Sequence, residues 1–165
     1  MKWNKAEIIN SNFDDYFKGI YKDRWPVIKE ALLKKERQVL RKNKFSTLKD
    51  NYGLEPFAEN IFWLSEDFQK NHKEIVRDKN NILDYYIMDP ASFLAIEHFP
   101  INDEDVVLDM CAAPGGKALV LAEKLFQQGQ LFANELSEPR RERLIKVIQN
   151  YILRDQRSKI WVKGW

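Results

Sequence analysis

Apolar residues recur along this chain with helical spacing near the start and with a strand-helix alternation near the end. Phe13, Tyr16, Phe17, Ile20 and Tyr21 fall at helical spacing and predict one apolar stripe. Asp23-Arg24-Trp25-Pro26 interrupts it. Pro26 suits the first turn of a second helix, from about Val27 to Arg41, with Ile28, Ala31 and Leu32 inward. From Phe45 to Asn81 the pattern is less regular. Asn51-Tyr52-Gly53 reads as a turn, because Asn and Gly tolerate positive φ. Asn60-Ile61-Phe62-Trp63-Leu64 reads as a short buried strand.

From Asp84 onward the alternation is clearer. Tyr85-Tyr86-Ile87-Met88 is an apolar run. Asp89 is a good helix cap and Pro90 a good first helical residue, so a helix to about His98 follows, burying Phe93, Leu94 and Ile96 or Phe99. Val106-Val107-Leu108, closed by Asp109, reads as a parallel strand buried on both faces. A helix from Lys117 to about Gln127 carries Leu119, Leu121, Ala122 and Leu125, and Gly129 stops it. Gln130–Asn134 is a second strand ending at Glu135. Ser137 caps a helix from Glu138 to about Ile152, with Leu144, Val147, Ile148 and Tyr151 on one face. Lys159-Ile160-Trp161-Val162 is a third strand. This order predicts an α/β class with a Rossmann-like doubly wound sheet, its first three parallel strands present. A mainly helical region, residues 1–83, precedes it, and residues 84–165 form the first half of the α/β domain. No repeat or low-complexity linker intervenes.

Charge changes the picture at the N-terminus. The net charge is only +2, yet 13 of the 27 Lys+Arg and 7 of the 25 Asp+Glu lie in residues 1–50. The positive charge is densest at Lys34, Lys35, Arg37, Arg41, Lys42 and Lys44. Such a cluster attracts a phosphate-rich partner by counterion release, or is a solvated helix face. The single cysteine, Cys111, excludes an internal disulfide and suits a reducing compartment. His72 and His98 have no metal-ligand spacing around them, so no metal is expected. No apolar run approaches the roughly 20 residues that span a membrane, and no secretory signal opens the chain.

Candidate chemistry gathers at the strand ends, where ligands bind in open α/β sheets. Asp109 follows the first strand and Glu135 the second. Between the first strand and its helix lies Cys111-Ala112-Ala113-Pro114-Gly115-Gly116-Lys117. Its small side chains allow close approach to the backbone, and the following helix offers free N–H groups to a carboxylate or phosphate. A carboxylate at Glu135 can accept hydrogen bonds from both hydroxyls of a ribose. Together these point to a nucleoside-containing cofactor; a glycine-rich loop can also serve tight packing alone. Gly115-Gly116 is neither G-x-G-x-x-G nor a P-loop, since Ala118 follows Lys117.

The nine residues Asp109-Met110-Cys111-Ala112-Ala113-Pro114-Gly115-Gly116-Lys117 resemble the first motif of the Nop/Sun RNA 5-methylcytosine methyltransferases. Tyr85-Tyr86-Ile87-Met88-Asp89-Pro90-Ala91-Ser92 is similar to the segment before it. Asn134-Glu135-Leu136-Ser137-Glu138-Pro139-Arg140 is similar to the second motif, where Asp is commoner than Glu. The wording is nearest the organellar, ribosome-directed branch. The resemblance covers about Asp84–Trp165; earlier it reduces to Trp25-Pro26.

This resemblance implies S-adenosylmethionine as cofactor. The backbone of Cys111, Ala112, Ala113, Pro114, Gly115, Gly116 and Lys117 would wrap its methionine end, with Lys117 on the carboxylate. Glu135 would bind the ribose with Arg140 beside it, and Asp89 and Ser92 would shape the surroundings. The implied reaction is methylation of cytosine carbon 5 in RNA, ribosomal RNA first and transfer RNA second, in a bacterial cytoplasm or a mitochondrion. In the family a thiolate adds to carbon 6, using cysteines on later strands and loops. Neither cysteine is present, so no catalytic residue is assigned, and the chain is expected to be an inactive N-terminal fragment. Cys111 belongs to the cofactor loop and reads as a small buried packing residue. The alternative readings are a non-catalytic module with a degenerate methyltransferase fold that binds RNA or a partner, and a small-molecule methyltransferase. The latter gives no reason for the full motif beside a basic N-terminal region.

Overall fold

The computed structural model describes residues 13–34, 37–48, 52–72, 74–125 and 128–165. They divide into two compact units, 1–36 and 37–165, each taken here by itself.

In the first unit, helix α1 (Phe13–Tyr21) and helix α2 (Trp25–Leu33) join through a 3₁₀ turn, Lys22–Arg24. The helical spacing of the aromatics brings them together on Trp25, which is buried. Phe17 stacks on Trp25 at 5.1 Å and Tyr21 at 6.1 Å. Asp14 fixes the pair by accepting from Trp25 Nε1 at 3.1 Å and from Lys29 Nζ at 2.7 Å. The second helix stops at Leu33, well short of the expected Arg41, and Lys34 is extended. Its expected inward face is not one: Ile28 is half-buried while Ala31 and Leu32 are exposed.

The second unit opens with a sheet where helix was expected. Strands β1 (Val39–Lys42), β2 (Pro56–Ala58), β3 (Ile61–Trp63) and β4 (Tyr85–Met88) form an antiparallel sheet in the order β2-β3-β1-β4. Val39 and Leu40 are both 0% exposed because both faces of β1 are covered. Val39 packs with Ile61, Met88 and Phe93, and Leu40 with Leu64, Phe68 and Tyr85. Burial on two faces is a tertiary outcome that overrides the helical pattern. Helix α3 (Glu66–Asn71) is capped by Ser65, whose Oγ accepts from the Phe68 N–H at 3.1 Å. The only mainly helical part of the described residues before residue 84 is thus the first unit. The expected division at 83/84 is also crossed, since β4 pairs with β1 in full register from Val39↔Met88 to Lys42↔Tyr85.

The rest follows the expected order. Helix α4 (Pro90–Glu97), strand β5 (Val106–Asp109), helix α5 (Gly116–Lys124), strand β6 (Gln130–Asn134), helix α6 (Glu138–Tyr151) and strand β7 (Ile160–Lys163) succeed one another. Strands β5-β6-β7 are parallel and adjacent in that order. Leu131 and Ala133 pack on Leu119 and Leu121 of α5 and on Leu144 and Ile148 of α6. The other face is bare: Val106 is 66% and Leu108 55% exposed, and Phe132 and Trp161 stack there at 5.0 Å. The expectation of a first strand buried on both faces therefore fails. Helices cover one face only, and strand alternation sends Val106 and Leu108 to the other. Leu94 and Phe99 also stay exposed, whereas Phe93 is buried as expected. Among the described residues, no helix is long and apolar enough to cross a membrane.

Candidate cofactor site

The C-terminal ends of β5 and β6 hold the two segments that the sequence singles out. Residues 110–115 turn from β5 into α5, and Asn134 of β6 holds the turn down. Its carbonyl accepts from the Ala112 N–H at 2.9 Å, and its Nδ2 donates to the Met110 carbonyl at 3.2 Å. Its Oδ1 accepts from the Trp165 N–H at 3.0 Å, so one amide ties together the chain ends after all three parallel strands. Sequence reasoning placed Asn134 in the strand without assigning it this role.

Two glycines make the turn possible. Gly115 has φ +124°, a conformation that strains any residue with a side chain. A Cβ there would also lie 2.7 Å from Val147 Cγ1. At Gly116, the first residue of α5, a Cβ would lie 3.1 Å from Tyr86 Cε1 and 3.6 Å from Met88 Cε. Strand β4 therefore sits directly against the start of α5. The Ala113–Pro114 peptide is cis.

A cleft of about 230 Å³ opens here. Tyr86, Met88, Asp89 and Ser92 line it from β4 and the start of α4, and Ala112, Pro114, Gly116 and Lys117 from the loop and the start of α5. The Asp89 carboxylate caps α4 by accepting from the Ala91 and Ser92 N–H groups at 2.6 and 3.2 Å. Asp89 and Ser92 thus both line this cleft. Tyr86 was read only as part of an apolar run. Its place two residues before Met88, on the face turned to α5, was the signal available.

The two acids differ. Asp109 Oδ1 accepts from the Cys111 N–H at 3.1 Å, while its Oδ2 is buried with no hydrogen-bond partner. Burial pushes this carboxyl up, and the Cys111 N–H and the Lys117 charge pull it part of the way back. A buried acceptor without a donor suits a group that brings one, such as an ammonium, although Asp109 does not line the cleft itself. Glu135 is 5% exposed. Its Oε1 accepts from the Ser137 N–H at 2.9 Å, and Ser137 makes no side-chain cap of its own.

Arg140, in the first turn of α6, links the halves of the site. One Nη2 donates to the Ala113 carbonyl at 3.0 Å and lies 3.4 Å from Glu135 Oε2. The loop and the acid are thus neighbours at one end of the sheet, although Glu135 does not line the cleft itself. Ala112 and Ala113 are 2% and 4% exposed and fill the packing role expected of Cys111. Cys111 is itself exposed, because the turn sends its side chain outward. The arrangement offers helix N–H groups, an ammonium at Lys117, an unsatisfied carboxylate oxygen and a second buried carboxylate. These groups fit an amino acid at one end and a sugar at the other.

The basic cluster is divided between the two units. Lys34 pairs with Glu30 at 2.9 Å in the first unit, and Lys35 lies outside the described residues. In the second unit Arg37 stacks over Trp63 at 4.1 Å and pairs with Glu55 at 3.2 Å, and Lys42 lies 5.8 Å from the Tyr52 ring centroid. Lys44 is exposed. Arg41 leaves the cluster altogether: it is 3% exposed and its Nη1 meets Glu123 Oε1 of α5 at 2.6 Å. Its place on a strand turns it to the interior, which corrects its assignment to RNA. Among the described residues no group of three or more His, Cys, Asp or Glu could hold a metal ion.

Part of the chain is similar to known RNA methyltransferases. Residues 97–162 match the family described as 16S rRNA methyltransferase RsmB/F. The 5-cytosine rRNA methyltransferase NSUN4 of Xenopus laevis is 44% identical over 86 residues, which is 51% of this chain and 21% of that protein. The mitochondrial tRNA (cytosine(34)-C(5))-methyltransferase of Danio rerio is 35% identical over 68 residues, 41% of this chain and 18% of that protein. The chain thus spans about a fifth of the length of these relatives. Its fold matches NSun6 from Pyrococcus horikoshii, solved with SFG, at TM-score 0.64 and 15% identity, over 90% of this chain and 63% of that one. The fold is Rossmann-like, as in that neighbour, and residues 97–162 are similar to Nop/Sun methyltransferases of the RsmB/F type.

Proposed function

We propose that the chain binds S-adenosylmethionine at the ends of β5 and β6 and forms the cofactor-holding part of an enzyme that methylates carbon 5 of cytosine in RNA. One observation carries this reading: Arg140 joins the Ala113 carbonyl to the Glu135 carboxylate, so the loop and the acid can serve one ligand. The backbone from Cys111 to Gly116 surrounds the methionine end, Lys117 neutralises its carboxylate, and Asp109 Oδ2 accepts from its ammonium. Glu135 holds the ribose hydroxyls and Arg140 keeps Glu135 in place. The bound cofactor supplies an electrophilic methyl group.

Ribosomal RNA is the first substrate and transfer RNA the second, in keeping with what the named relatives act on. Lys34, Lys35, Arg37, Lys42 and Lys44 contact RNA phosphates; Arg41 does not. The chain's one cysteine, Cys111, is in the cofactor loop, and no residue of this chain is assigned as the nucleophile or as the releasing cysteine. A mitochondrial or bacterial cytoplasmic setting fits the relatives. Equilibrium dialysis of the chain against labelled S-adenosylmethionine, alone and with a ribosomal RNA fragment, tests both halves. Retention of the label and of the RNA is expected; failure to retain the label removes the cofactor reading.

A further inference from the structure

The Arg41–Glu123 pair sits outside the cofactor cleft yet is among the most buried ionic contacts described. The two side chains are 3% and 5% exposed, 2.6 Å apart. Arg41 Nε and Nη2 are buried without any hydrogen-bond partner. Such a pair adds little stability over an apolar one, so its presence calls for another reason. Its position supplies one. Arg41 is the cross-strand partner of Tyr86 on β4, so the two side chains share a face of the sheet. Glu123 belongs to α5, the helix that begins at Gly116. The Tyr86 ring in turn bears on Gly116 and lines the cleft. Behind it, Tyr151 of α6 meets Tyr86 edge to face at 5.2 Å.

We propose that Arg41, anchored by Glu123, is a positioning residue that holds Tyr86 against Gly116 and so shapes the wall receiving the amino-acid end of S-adenosylmethionine. This rests on the cofactor reading above. Burial pushes the Tyr86 and Tyr151 hydroxyls up, and the Arg41 charge offsets part of that rise. Strand β1 and helix α5 are far apart in sequence, and this pair, together with the Lys44 N–H on Glu123 Oε1 at 3.3 Å, ties them together beside the cleft. Arg41 touches no cofactor atom in this account; it acts through Tyr86.

The test compares S-adenosylmethionine with methylthioadenosine, a neutral thioether that lacks both the amino-acid part and the sulfonium charge, with S-adenosylhomocysteine, a thioether that keeps the amino-acid part, as the control for charge. Replacing the ion pair by apolar side chains, Arg41→Met with Glu123→Leu, leaves no uncompensated charge and keeps the fold. Calorimetry should show S-adenosylmethionine and S-adenosylhomocysteine binding weakened by about tenfold to a hundredfold, with methylthioadenosine binding within about twofold of wild type. Tyr86→Leu, which leaves the ion pair intact, should give the same selective loss. Equal loss for all three ligands, or no loss for any, in a variant that melts as the wild type does, overturns the positioning role. Wild-type chain that binds none of them overturns the cofactor reading and this inference with it. Wild-type binding with unselective variants overturns the inference alone.

Discussion

The Arg140 guanidinium bridges from the Ala113 carbonyl, 3.0 Å away, to the Glu135 carboxylate, 3.4 Å away. Glu135 is nearly closed to solvent while the Arg140 side chain is 54% exposed, so the arginine closes the site from its open side. Removing it should affect ligand more than fold. Arg140→Ala is expected to cost about 1 kcal/mol of stability, since the arginine is half exposed although its partner Glu135 is buried. It should weaken S-adenosylmethionine binding by about tenfold, and Arg140→Lys should restore little of that, because a point charge cannot reproduce the fork. Thermal melts and calorimetry on the same samples check both parts.

Gly115 meets two obstacles to substitution at once, its φ of +124° and the Val147 side chain 2.7 Å from any added Cβ. Gly115→Ala should cost roughly 1–3 kcal/mol, from backbone strain and overpacking. A urea titration measures it. A midpoint unchanged from wild type would show that the turn has freedom the structure does not suggest.

The ion pair at Arg41 sets a contrast between single and double substitution. Arg41→Ala leaves Glu123 buried and uncompensated and should cost roughly 3–5 kcal/mol. The double apolar replacement should cost far less. Chemical denaturation of the three proteins gives the coupling directly.

The Asp78 carboxylate gives the fold a pH dependence. Burial pushes its carboxyl up, but donation from the Thr47, Ile82 and Asn80 N–H groups and the Thr47 hydroxyl outweighs burial and leaves it below its ordinary value. The folded chain therefore binds fewer protons than the unfolded chain just below the ordinary carboxylate value of roughly 4. The stabilisation is full above that value and is lost as pH falls through the lower folded one. Asp78→Asn should be less stable than wild type at pH 7, and the gap should narrow at pH 3. A constant gap would show that the charge does not matter.

The legible part of this fold was the part whose pattern is long and local. Helix α6 and the strands around it follow from Ser137, Leu144, Ile148 and Tyr151, which keep helical spacing over four turns. The loop from Cys111 to Lys117 was legible for another reason: small residues between a strand and a helix have few uses. Between Arg37 and Leu83 only β3 was legible, in Asn60-Ile61-Phe62-Trp63-Leu64; β2 is three residues long, and β1 pairs with β3 and β4, both distant in sequence. Arg41 looked like one more solvated charge, and only the meeting of β1 with α5 reveals its partner. The side chains of Val106 and Leu108 misled in the opposite sense, since an apolar strand carries no mark of which face is covered.

The measurement closest to the central claim is calorimetric titration of this chain with S-adenosylmethionine, beside Glu135→Ala. One site is expected in the wild type and binding weakened by at least about tenfold in the variant, because the loss of a buried ligand-bonding carboxylate costs more than an ordinary hydrogen bond. Equal affinity in both proteins, or no heat in the wild type, would contradict the claim.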